Sequence, residues 1–540
     1  MIDKLSNQNR IIIATVLSFI FFATYDYFFI PKQTKNFSEQ NSSQIEKNIV
    51  EKNSEVNSPK APVSTSIDNS NMSTKVANSP ANSKKTNDEA IVSVKAKKFE
   101  LKIDKLGRIT KFYLNQKKYR SKDGQRLQLV DHKLGFLPLE MRFSDESINT
   151  EAFATAYDSD KSQVILKDKP VKLILTQRLS DLTIIKNIKI YEDGHYDLEV
   201  KLSKKAQYFI TPGFHPSLAK DSYTFHGALL QKSDGSMEII DDGDAEQRTF
   251  KGVSFAANAD KYYATVLYNF DDKMEVVETP EKDQDPALYI KGKQDLKLGG
   301  YIGPKEFEIL KKIDSRLTDV IEYGFFTFIA KPLFVLLAYI HNFLGNWGWA
   351  IVSLTLLVRL VLFPLTYKGM VSMNKMKALS PRIKELQVKY KDDKQKLNAH
   401  MMELYRKHGA NPMGGCLPMI LQIPVFYGVY RVLQNTVELK GAPWILWIHD
   451  LSVMDPYFIL PILMGGSMYL QQRLAPNSFT DKTQEKIMKF LPLIFTFFFV
   501  TFPAGLTLYW FTSNLASIVQ QYFVNKAFAK HKVEEMAVVK

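Results

Sequence analysis

The sequence has little of what enzymes and disulfide-stabilised proteins need. It has one cysteine, Cys416, in 540 residues, so no disulfide can form within the chain. It has no HExxH or GxSxG motif, no phosphate-binding glycine loop and no Cys/His cluster at metal-ligand spacing. His195, His215 and His226 are isolated in the sequence and are interpreted as structural residues. We therefore expect no enzymatic activity, no catalytic residue, no bound metal and no cofactor.

Charge is distributed unevenly along the chain. Lys and Arg (71) outnumber Asp and Glu (57), which gives a formal net charge of +14. Residues 31–345 are polar and strand-like, whereas residues 349–523 contain several apolar runs of membrane-spanning length. A basic balance in such a chain is typical of a membrane protein whose cytoplasmic loops collect Lys and Arg. We expect contact with the phospholipid bilayer and no sequence-specific binding of nucleic acid.

The N-terminal region predicts an anchor followed by a tether. Residues 11–30 form one apolar stretch, which is longer than the apolar part of most signal peptides and is not followed by a small-residue cleavage pattern. We therefore predict a retained transmembrane anchor at residues 1–31. Residues 32–89 are rich in Asn, Ser, Lys, Pro and Thr and have few aromatics, which predicts a disordered periplasmic linker.

Residues 90–320 have the pattern of a β domain. Short segments with partial period-two alternation follow one another, separated by turn sequences such as Glu192-Asp193-Gly194. Many short strands with regularly spaced turns predict a β-sandwich. The sequence reveals no carboxylate pair in this domain, which leaves a periplasmic carbohydrate enzyme without support. Residues 321–345 mix apolar, charged and proline residues, and they predict an amphipathic helix at the membrane interface.

The last third of the chain, residues 346–525, predicts a core of five membrane spans. The spans are residues 349–366, 417–437, 457–472, 490–502 and 506–523. If the N-terminus is cytoplasmic, alternation places residues 367–416 and the basic tail, residues 526–540, in the cytoplasm and the β domain in the periplasm. Residues 367–416 carry eleven Lys and Arg against four Asp and Glu, in agreement with the positive-inside rule. We predict a multi-pass membrane protein with both termini cytoplasmic.

One charged residue lies deep within a predicted span. Arg359 is about the tenth residue of its span, and an unpaired charge at that depth is costly. No Asp or Glu occurs in the five spans. Thr355 shares its helical face, Gln422 adds a polar group on the next span, and the last span carries a polar stripe that includes Asn514. This pattern predicts a hydrated cavity around the cation. The alternative is a structural arginine that binds backbone carbonyls or a lipid phosphate.

The segment 367–416 predicts a helical hairpin. Pro381 is expected to open its first helix, and a second helix is expected from about residue 394 to residue 408 after an Asp cap. Its Lys and Arg residues predict a basic hairpin on the cytoplasmic face, and alternatively its charge is only a topology signal or a contact with lipid. Arg431 lies near the outer end of its span, opposite Gln422, and is explained by a side chain that reaches the membrane surface.

Four stretches of the core are specific enough to suggest a family. They are LTLLVRLVLFPLT (354–366), NPMGGCLPMILQIPVFYGVY (411–430), LWIHDLSVMDPYFILPILMG (446–465) and FPAGLTLYWFTSNLASIVQQ (502–521). They resemble the core of the YidC/Oxa/Alb family of membrane protein insertases, in its Gram-negative form with a large periplasmic domain. The resemblance implies a membrane protein with a five-helix insertase core, an N-terminal transmembrane anchor and a periplasmic all-β supersandwich domain.

The same resemblance implies a substrate site. In this family the five helices enclose a hydrophilic groove that is closed to the outside and open to the cytoplasm and to lipid. Its groove positions fall on Arg359, Thr355, Gln422, Tyr509 and Trp510. Close relatives often have a Tyr where Trp510 stands here, so the aromatic ring is kept and the hydroxyl is lost.

The resemblance also implies the function and the partners. Family members insert and fold integral membrane proteins in the bacterial inner membrane, alone or with the Sec translocon, so nascent membrane proteins and the Sec translocon are the expected partners. The hairpin and the basic tail are expected to meet the ribosome or the signal-recognition machinery. The alternative is a small-solute transporter or channel with an intramembrane anion site at Arg359. That alternative predicts inverted repeats or paired broken helices, and no repeat relates the five spans.

Overall fold

The structure is a computed structural model. It describes residues 76, 89–121, 123–131, 135–167, 169–216, 225–324, 326–391, 393–410, 417–474 and 482–538, with the backbone alone at 394, 417–421, 482–488 and 530–538. The predicted anchor lies outside the described residues, and so does the predicted linker apart from residues 76 and 89.

Val76 differs from the expectation of a disordered linker. Its side chain is 7% exposed and lies in a small apolar cluster with Phe136, Phe209 and Tyr289 of the β domain. Burial of the valine side chain offsets the entropy lost by ordering its residue, so the linker packs on the domain at this position.

In the described part of the chain the β domain has eighteen strands. They are β1 (Ala90–Lys95), β2 (Phe99–Asp104), β3 (Ile109–Leu114), β4 (Gln128–Asp131), β5 (Met141–Phe143), β6 (Asp158–Ser159), β7 (Gln163–Ile165), β8 (Val171–Arg178), β9 (Thr183–Ile190), β10 (His195–Leu202), β11 (Tyr208–Ile210), β12 (Gly227–Lys232), β13 (Met237–Asp241), β14 (Arg248–Ala259), β15 (Tyr263–Tyr268), β16 (Met274–Pro280), β17 (Pro286–Gly292) and β18 (Leu296–Pro304). The short turns between many of them follow the turn sequences, as at Tyr191–Gly194, where Gly194 has φ 95°.

The strands form two sheets that pack face to face. One sheet has five strands in the order β4-β3-β2-β1-β7, and the other has thirteen, in the order β5-β11-β17-β16-β14-β15-β18-β10-β9-β8-β6 with the β12–β13 hairpin beside β14. Ile103 and Phe112 of the first sheet share one buried cluster with Leu175, Ile188 and Leu198 of the second. Alternate residues of strands such as β2 and β9 enter this core, which confirms the predicted β-sandwich.

Ten helices lie in the described residues. They are α1 (Glu146–Ala154), α2 (Phe307–Ile313), α3 (Thr327–Leu344), α4 (Trp347–Val361), α5 (Phe363–Lys389), α6 (Lys394–Lys407), α7 (Leu417–Asn435), α8 (Ile459–Leu474), α9 (Lys482–Phe499) and α10 (Ala504–Val538). The helices α4, α7, α8, α9 and α10 correspond to the five predicted spans. By length and composition alone, α3 can cross a membrane, and so can α4 with α5 if the bent pair is one span; no other described helix passes that test.

The first span ends earlier than predicted. α4 ends at Val361, and α5 begins at Phe363 after a bend of 63°. Pro364 explains the break, because it has no N–H to donate to the carbonyl of Leu360 and its ring crowds that carbonyl. Residues 363–366, which the sequence assigned to the span, therefore belong to α5.

The prediction that Pro381 opens the first hairpin helix is wrong. α5 continues without interruption through Pro381. Leu379 and Ile383, on either side of the proline, are buried with Ala410 in an apolar cluster between α5 and the end of α6. This packing keeps the chain helical across the proline. α6 begins after Asp393, as the Asp cap predicted.

The last two spans also have different bounds from those predicted. α9 begins at Lys482 and ends at Phe499, whereas the sequence placed this span at residues 490–502. α10 begins at Ala504 and continues to Val538, so most of the predicted tail, residues 526–540, extends the last span as helix. Apolar periodicity marks only the apolar part of a helix, and the polar turns beyond it carry no such signal.

The loop after α7, residues 436–458, joins the helical core to the β domain. Val437 is fully buried within the core of the β domain. The carboxylate of Glu438 accepts a hydrogen bond from the N–H of Phe307 at 2.8 Å. The ammonium of Lys440 donates to the hydroxyl of Tyr263 at 2.9 Å. This loop therefore fixes the β domain to one end of the core.

The helix α3 lies across the same end of the core. Near its start Ile329 lies against Gly428, in the last turns of α7. After its end Asn346 caps α4 and donates to the carbonyls of Pro443 and Trp444, each at 3.2 Å, in the loop 436–458. Both ends of α3 are therefore close to the end of the core that carries the β domain.

Candidate functional site

Arg359 lies in the last turn of α4, and its side chain faces α10. Its guanidinium donates from Nε and Nη2 to the hydroxyl oxygen of Ser513, at 3.0 and 2.5 Å. The amide of Gln520, two turns further along α10, donates to the backbone carbonyl of Arg359 at 3.2 Å. These bonds orient the arginine against the polar stripe that the sequence predicted on the last span.

Arg359 has a neutral partner. Among the described residues, no carboxylate lies within 4.0 Å of its guanidinium. Arg431 is different, because its Nη2 binds the Glu322 carboxylate and its Nε donates to the carbonyl of Tyr323 at 3.2 Å. The interpretation of Arg431 as a side chain that only reaches the membrane surface is therefore corrected, since a carboxylate 109 residues away in sequence pairs with it. Arg359 keeps a net positive charge within the core.

Thr355 lies one turn before Arg359 on the same face of α4. Its side chain is 1% exposed, and its hydroxyl donates to the carbonyl of Ile351 at 2.6 Å. Because the hydroxyl of Thr355 already donates its hydrogen within the helix, it can only accept a further hydrogen bond.

Trp510 and Tyr509 meet the second span through Phe426. The ring of Phe426 on α7 lies 4.6 Å from the ring of Trp510 and 6.2 Å from the ring of Tyr509. Trp510 also packs edge-on against Phe499 of α9, at 4.7 Å. Gln422 lies one turn before Phe426, so it shares the face of α7 that meets α10, and its side chain is partly exposed.

Asn514 lies apart from the other predicted groove residues. It is 5% exposed, and its amide donates to the hydroxyl of Ser467 at 3.0 Å and towards the carbonyl of Met464 at 3.5 Å, both on α8. Asn514 is one residue after Ser513 and therefore points about 100° away from Arg359 around α10. In the structure Asn514 joins two helices, and the assignment to the groove is not supported by its contacts.

The space beside Arg359 is a cleft of about 480 Å³ between α4 and α10. Its walls are mostly apolar, with Leu356, Leu515 and Val519 exposed at its surface, and its polar residues are Arg359, Thr512 and Gln520. The stripe itself is packed between helices, since Ser513, Ser517 and Gln521 are all buried. The predicted hydration of the arginine site therefore stays a prediction.

Three contacts in the helical core were not predicted from the sequence. Ser513 belongs to the polar stripe predicted on the last span, and its spacing from Gln520, seven residues, places both on one face of α10. Phe426 carries no signal that separates it from other apolar residues of its span. Glu322 lies outside every predicted span, and nothing in the sequence pairs it with Arg431. In the described part of the chain, no group of three or more His, Cys, Asp or Glu residues forms a possible metal site.

Two family models match the chain, one for each part. The model described as 60Kd inner membrane protein matches residues 339–532. The model described as YidC periplasmic domain matches residues 91–336. The transition between them falls within α3, where the β domain meets the helical core.

Curated relatives match over nearly the whole chain. A protein of Campylobacter jejuni named Membrane protein insertase YidC is 52% identical over 98% of this chain and 98% of its own length. A protein of Wolinella succinogenes with the same name is 49% identical over 98% of this chain and 97% of its own length. These relatives favour the insertase interpretation and give no support to a small-solute transporter or channel.

A solved structure titled "Active YidC insertase crystal structure with the first transmembrane domain resolved" aligns with 81% of this chain and 93% of its own, at 18% identity and a TM-score of 0.38. The sequence relatives, at about half of all positions identical, are enough to assign the family. The chain belongs to the YidC family of membrane protein insertases.

Proposed function

We propose that this chain inserts and folds membrane proteins in the bacterial inner membrane by receiving the hydrophilic part of an incoming chain beside Arg359. The observation that carries this proposal is the state of that arginine: a cation inside the helical core, bound to the neutral hydroxyl of Ser513. A charge without a counter-ion in a low-dielectric setting attracts acidic groups strongly.

Insertion requires a hydrophilic segment to cross hydrocarbon while an apolar segment stays behind in it. Arg359 attracts acidic residues of the hydrophilic segment. Water around the site shortens the distance that this segment must travel through hydrocarbon. The apolar segment leaves sideways into lipid, driven by its own transfer free energy. The apolar cleft between α4 and α10 is directly beside the arginine and offers one surface along which such a segment can pack.

The predicted groove residues have distinct roles in this proposal. Thr355 supports the arginine face of α4 as a hydrogen-bond acceptor. Gln422 offers an amide on α7, and Tyr509 and Trp510 form an aromatic wall with Phe426. Asn514 contributes by holding α8 against α10.

The orientation in the membrane and the partners are part of the same proposal. The hairpin of α5 and α6 and the tail are placed in the cytoplasm with both termini, since they carry the excess of Lys and Arg. Their basic surfaces are the proposed sites for the ribosome or the signal-recognition machinery, and the Sec translocon is a proposed partner of the core. The position of α3 across the β-domain end of the core supports its placement at the periplasmic interface.

Reconstitution tests the proposed function. The purified full-length chain is placed in liposomes and offered a short single-span protein with an acidic terminal segment, without other factors. We expect the terminal segment to become protected from an added protease. Protection no greater than in protein-free liposomes would contradict insertion by this chain alone. Flux of a labelled anion through the same liposomes would favour a channel instead.

A further inference from the structure

The polar stripe of α10 continues past the arginine site to a cluster of three amides, of which Asn374 and Gln521 are buried and Asn525 is partly buried. α10 begins at Ala504, whose N–H binds the carbonyl of Val453 in the loop next to the β domain. Asn525 lies about 30 Å further along the same helix, at 1.5 Å per residue. It is therefore at the opposite end of the core, where α5 leaves towards the hairpin.

Asn525 connects three helices. Its side-chain oxygen accepts hydrogen bonds from the amide of Asn374 on α5, at 2.9 Å, and from the amide of Gln521, at 2.7 Å. Its own amide donates to the carbonyl of Leu474, the last residue of α8, at 3.2 Å. Asn374 and Gln521 are 8% and 5% exposed, so these amides depend on one another for their hydrogen bonds.

Such contacts select one arrangement of helices. Apolar side chains tolerate sliding and rotation of one helix on another, whereas an amide pair is satisfied in only one register. If α5 turned or slid by one residue, Asn374 would be buried without a partner. The amide cluster therefore sets the angle at which α5 leaves the core.

The angle at which α5 leaves the core determines the position of the hairpin relative to the core. α5 extends about 20 Å beyond Asn374, at 1.5 Å per residue, so a small rotation at this point is magnified at its end. Leu379 and Ile383 pack with residues of α6, and α6 therefore moves together with α5. The helix on the other side of the cluster, α10, also holds Arg359 through Ser513.

We propose that Asn374 and Asn525 are positioning residues for insertion, which hold the hairpin at a fixed angle to the groove without touching the substrate. The proposal rests on the proposed function, because it assigns these residues to the delivery of the incoming chain from the hairpin to the arginine site. Neither residue belongs to the predicted groove.

A distance measurement tests, independently of activity, whether Asn374 and Asn525 fix the angle between α5 and α10. The single native cysteine, Cys416, is replaced by serine, and spin labels are attached at Val388→Cys on α5 and Phe523→Cys on α10, which are 80% and 61% exposed. We expect a narrow distance distribution in this background. Asn374→Ala and Asn525→Leu should widen it, because each removes the bond between α5 and α10.

Two variants act as controls. Asn525→Asp keeps the oxygen acceptors for Asn374 and Gln521, and it should keep the narrow distribution. Asn398→Ala removes an exposed amide from α6 and should change neither distance nor activity. In the same liposomes, Asn374→Ala and Asn525→Leu should slow insertion of the single-span reporter about fivefold, the scale of one lost hydrogen bond between helices.

The outcomes separate the two proposals. An unchanged distance distribution in Asn374→Ala and Asn525→Leu would contradict the proposal that these asparagines fix the angle of the hairpin. A wider distance distribution with an unchanged insertion rate would show that the two asparagines have only a structural role. That result would also contradict their role as positioning residues for insertion. If the background protein itself fails to insert the reporter, the proposed function fails, whereas the distance measurements still decide whether the amides fix the hairpin.

Discussion

The carboxylate of Glu438, just after α7, accepts a hydrogen bond from the backbone N–H of Phe307, the first residue of α2, at 2.8 Å. This bond joins the helical core to the β domain across 131 positions of sequence. Burial raises the pKa of Glu438 to about 7, although the hydrogen bond from the Phe307 N–H opposes this rise.

This junction should depend on pH. Because the pKa of Glu438 is raised, the folded protein binds its proton more tightly than the unfolded chain does between about pH 4.5 and pH 7. The contribution of Glu438 to stability is therefore largest in acid and is lost as the pH rises to 7. We expect Glu438→Gln to remove on the order of 1 to 2 kcal/mol of this pH dependence, measured as thermal unfolding midpoints at pH 5 and pH 8. Glu308→Gln, at an exposed position of α2, should behave as the unchanged protein.

The ion pair between Arg431 and Glu322 should be costly to break from one side. Their side chains are 11% and 8% exposed, so removal of one partner leaves the other charge nearly buried. We expect Arg431→Met or Glu322→Gln to lower stability by about 3 kcal/mol, and the double variant to lose less than the sum of the two. Unfolding of the four proteins as a double-mutant cycle measures this coupling. A coupling free energy of zero would show that the ion pair between Arg431 and Glu322 contributes nothing to stability.

Arg359 should matter most for acidic substrates. We expect Arg359→Ala to slow insertion of a reporter with an acidic terminal segment about tenfold relative to a neutral one, because the attraction of an unpaired cation is lost. Arg359→Lys keeps the charge and should be milder. Arg473→Ala, which removes an exposed arginine at the end of α8, is the matched control. Equal insertion of both reporters by the Arg359→Ala variant would exclude the role of charge attraction.

Two adjacent glycines of α8 should respond in opposite ways to substitution by alanine. A Cβ atom on Gly465 would lie 1.8 Å from the hydroxyl of Thr496 on α9, which is held by a 2.7 Å bond to the carbonyl of Pro492. Gly466 faces open space. We expect Gly465→Ala to lower stability by about 1 to 3 kcal/mol and Gly466→Ala to raise it by up to about 1 kcal/mol. Thermal unfolding of both variants in one detergent would show whether α8 and α9 pack this closely.

The buried Lys186 should give the β domain a pH dependence of opposite sign. It is completely buried on β9, where its ammonium donates to the carbonyls of Gly107 and Leu139 at 3.0 and 2.8 Å. Burial lowers the pKa of Lys186 to about 7. Between pH 7 and about pH 10 the unfolded chain binds this proton and the folded protein does not, so stability rises with pH. We expect Lys186→Met to flatten this rise in unfolding midpoints. Lys189→Met, on the exposed face of the same strand, should not.

Much of the architecture follows from local pattern. Period-two alternation and turn residues were enough to predict the β-sandwich, because strand faces and turns are specified by neighbouring residues. The five core helices and their order followed from apolar runs and the charges between them. Their ends were predicted less well. Pro364 lies in the first turn of α5, after the break, whereas Pro381 lies inside α5 with Leu379 and Ile383 buried on either side of it.

The sequence by itself determined that this protein has a β domain, a helical core and one cation deep within a predicted span. Each of these features can be predicted from composition and short-range periodicity. The tertiary structure decided which polar groups meet. Arg359 binds Ser513 across 154 positions, Asn374 binds Asn525 across 151, and Arg431 pairs with Glu322 across 109. Spacing along one helix shows which residues share a face, but the partner of that face depends on how distant helices pack. For this reason the sequence identified Arg359 as the residue to explain, whereas its neutral partner and the ion pair of Arg431 came from the fold.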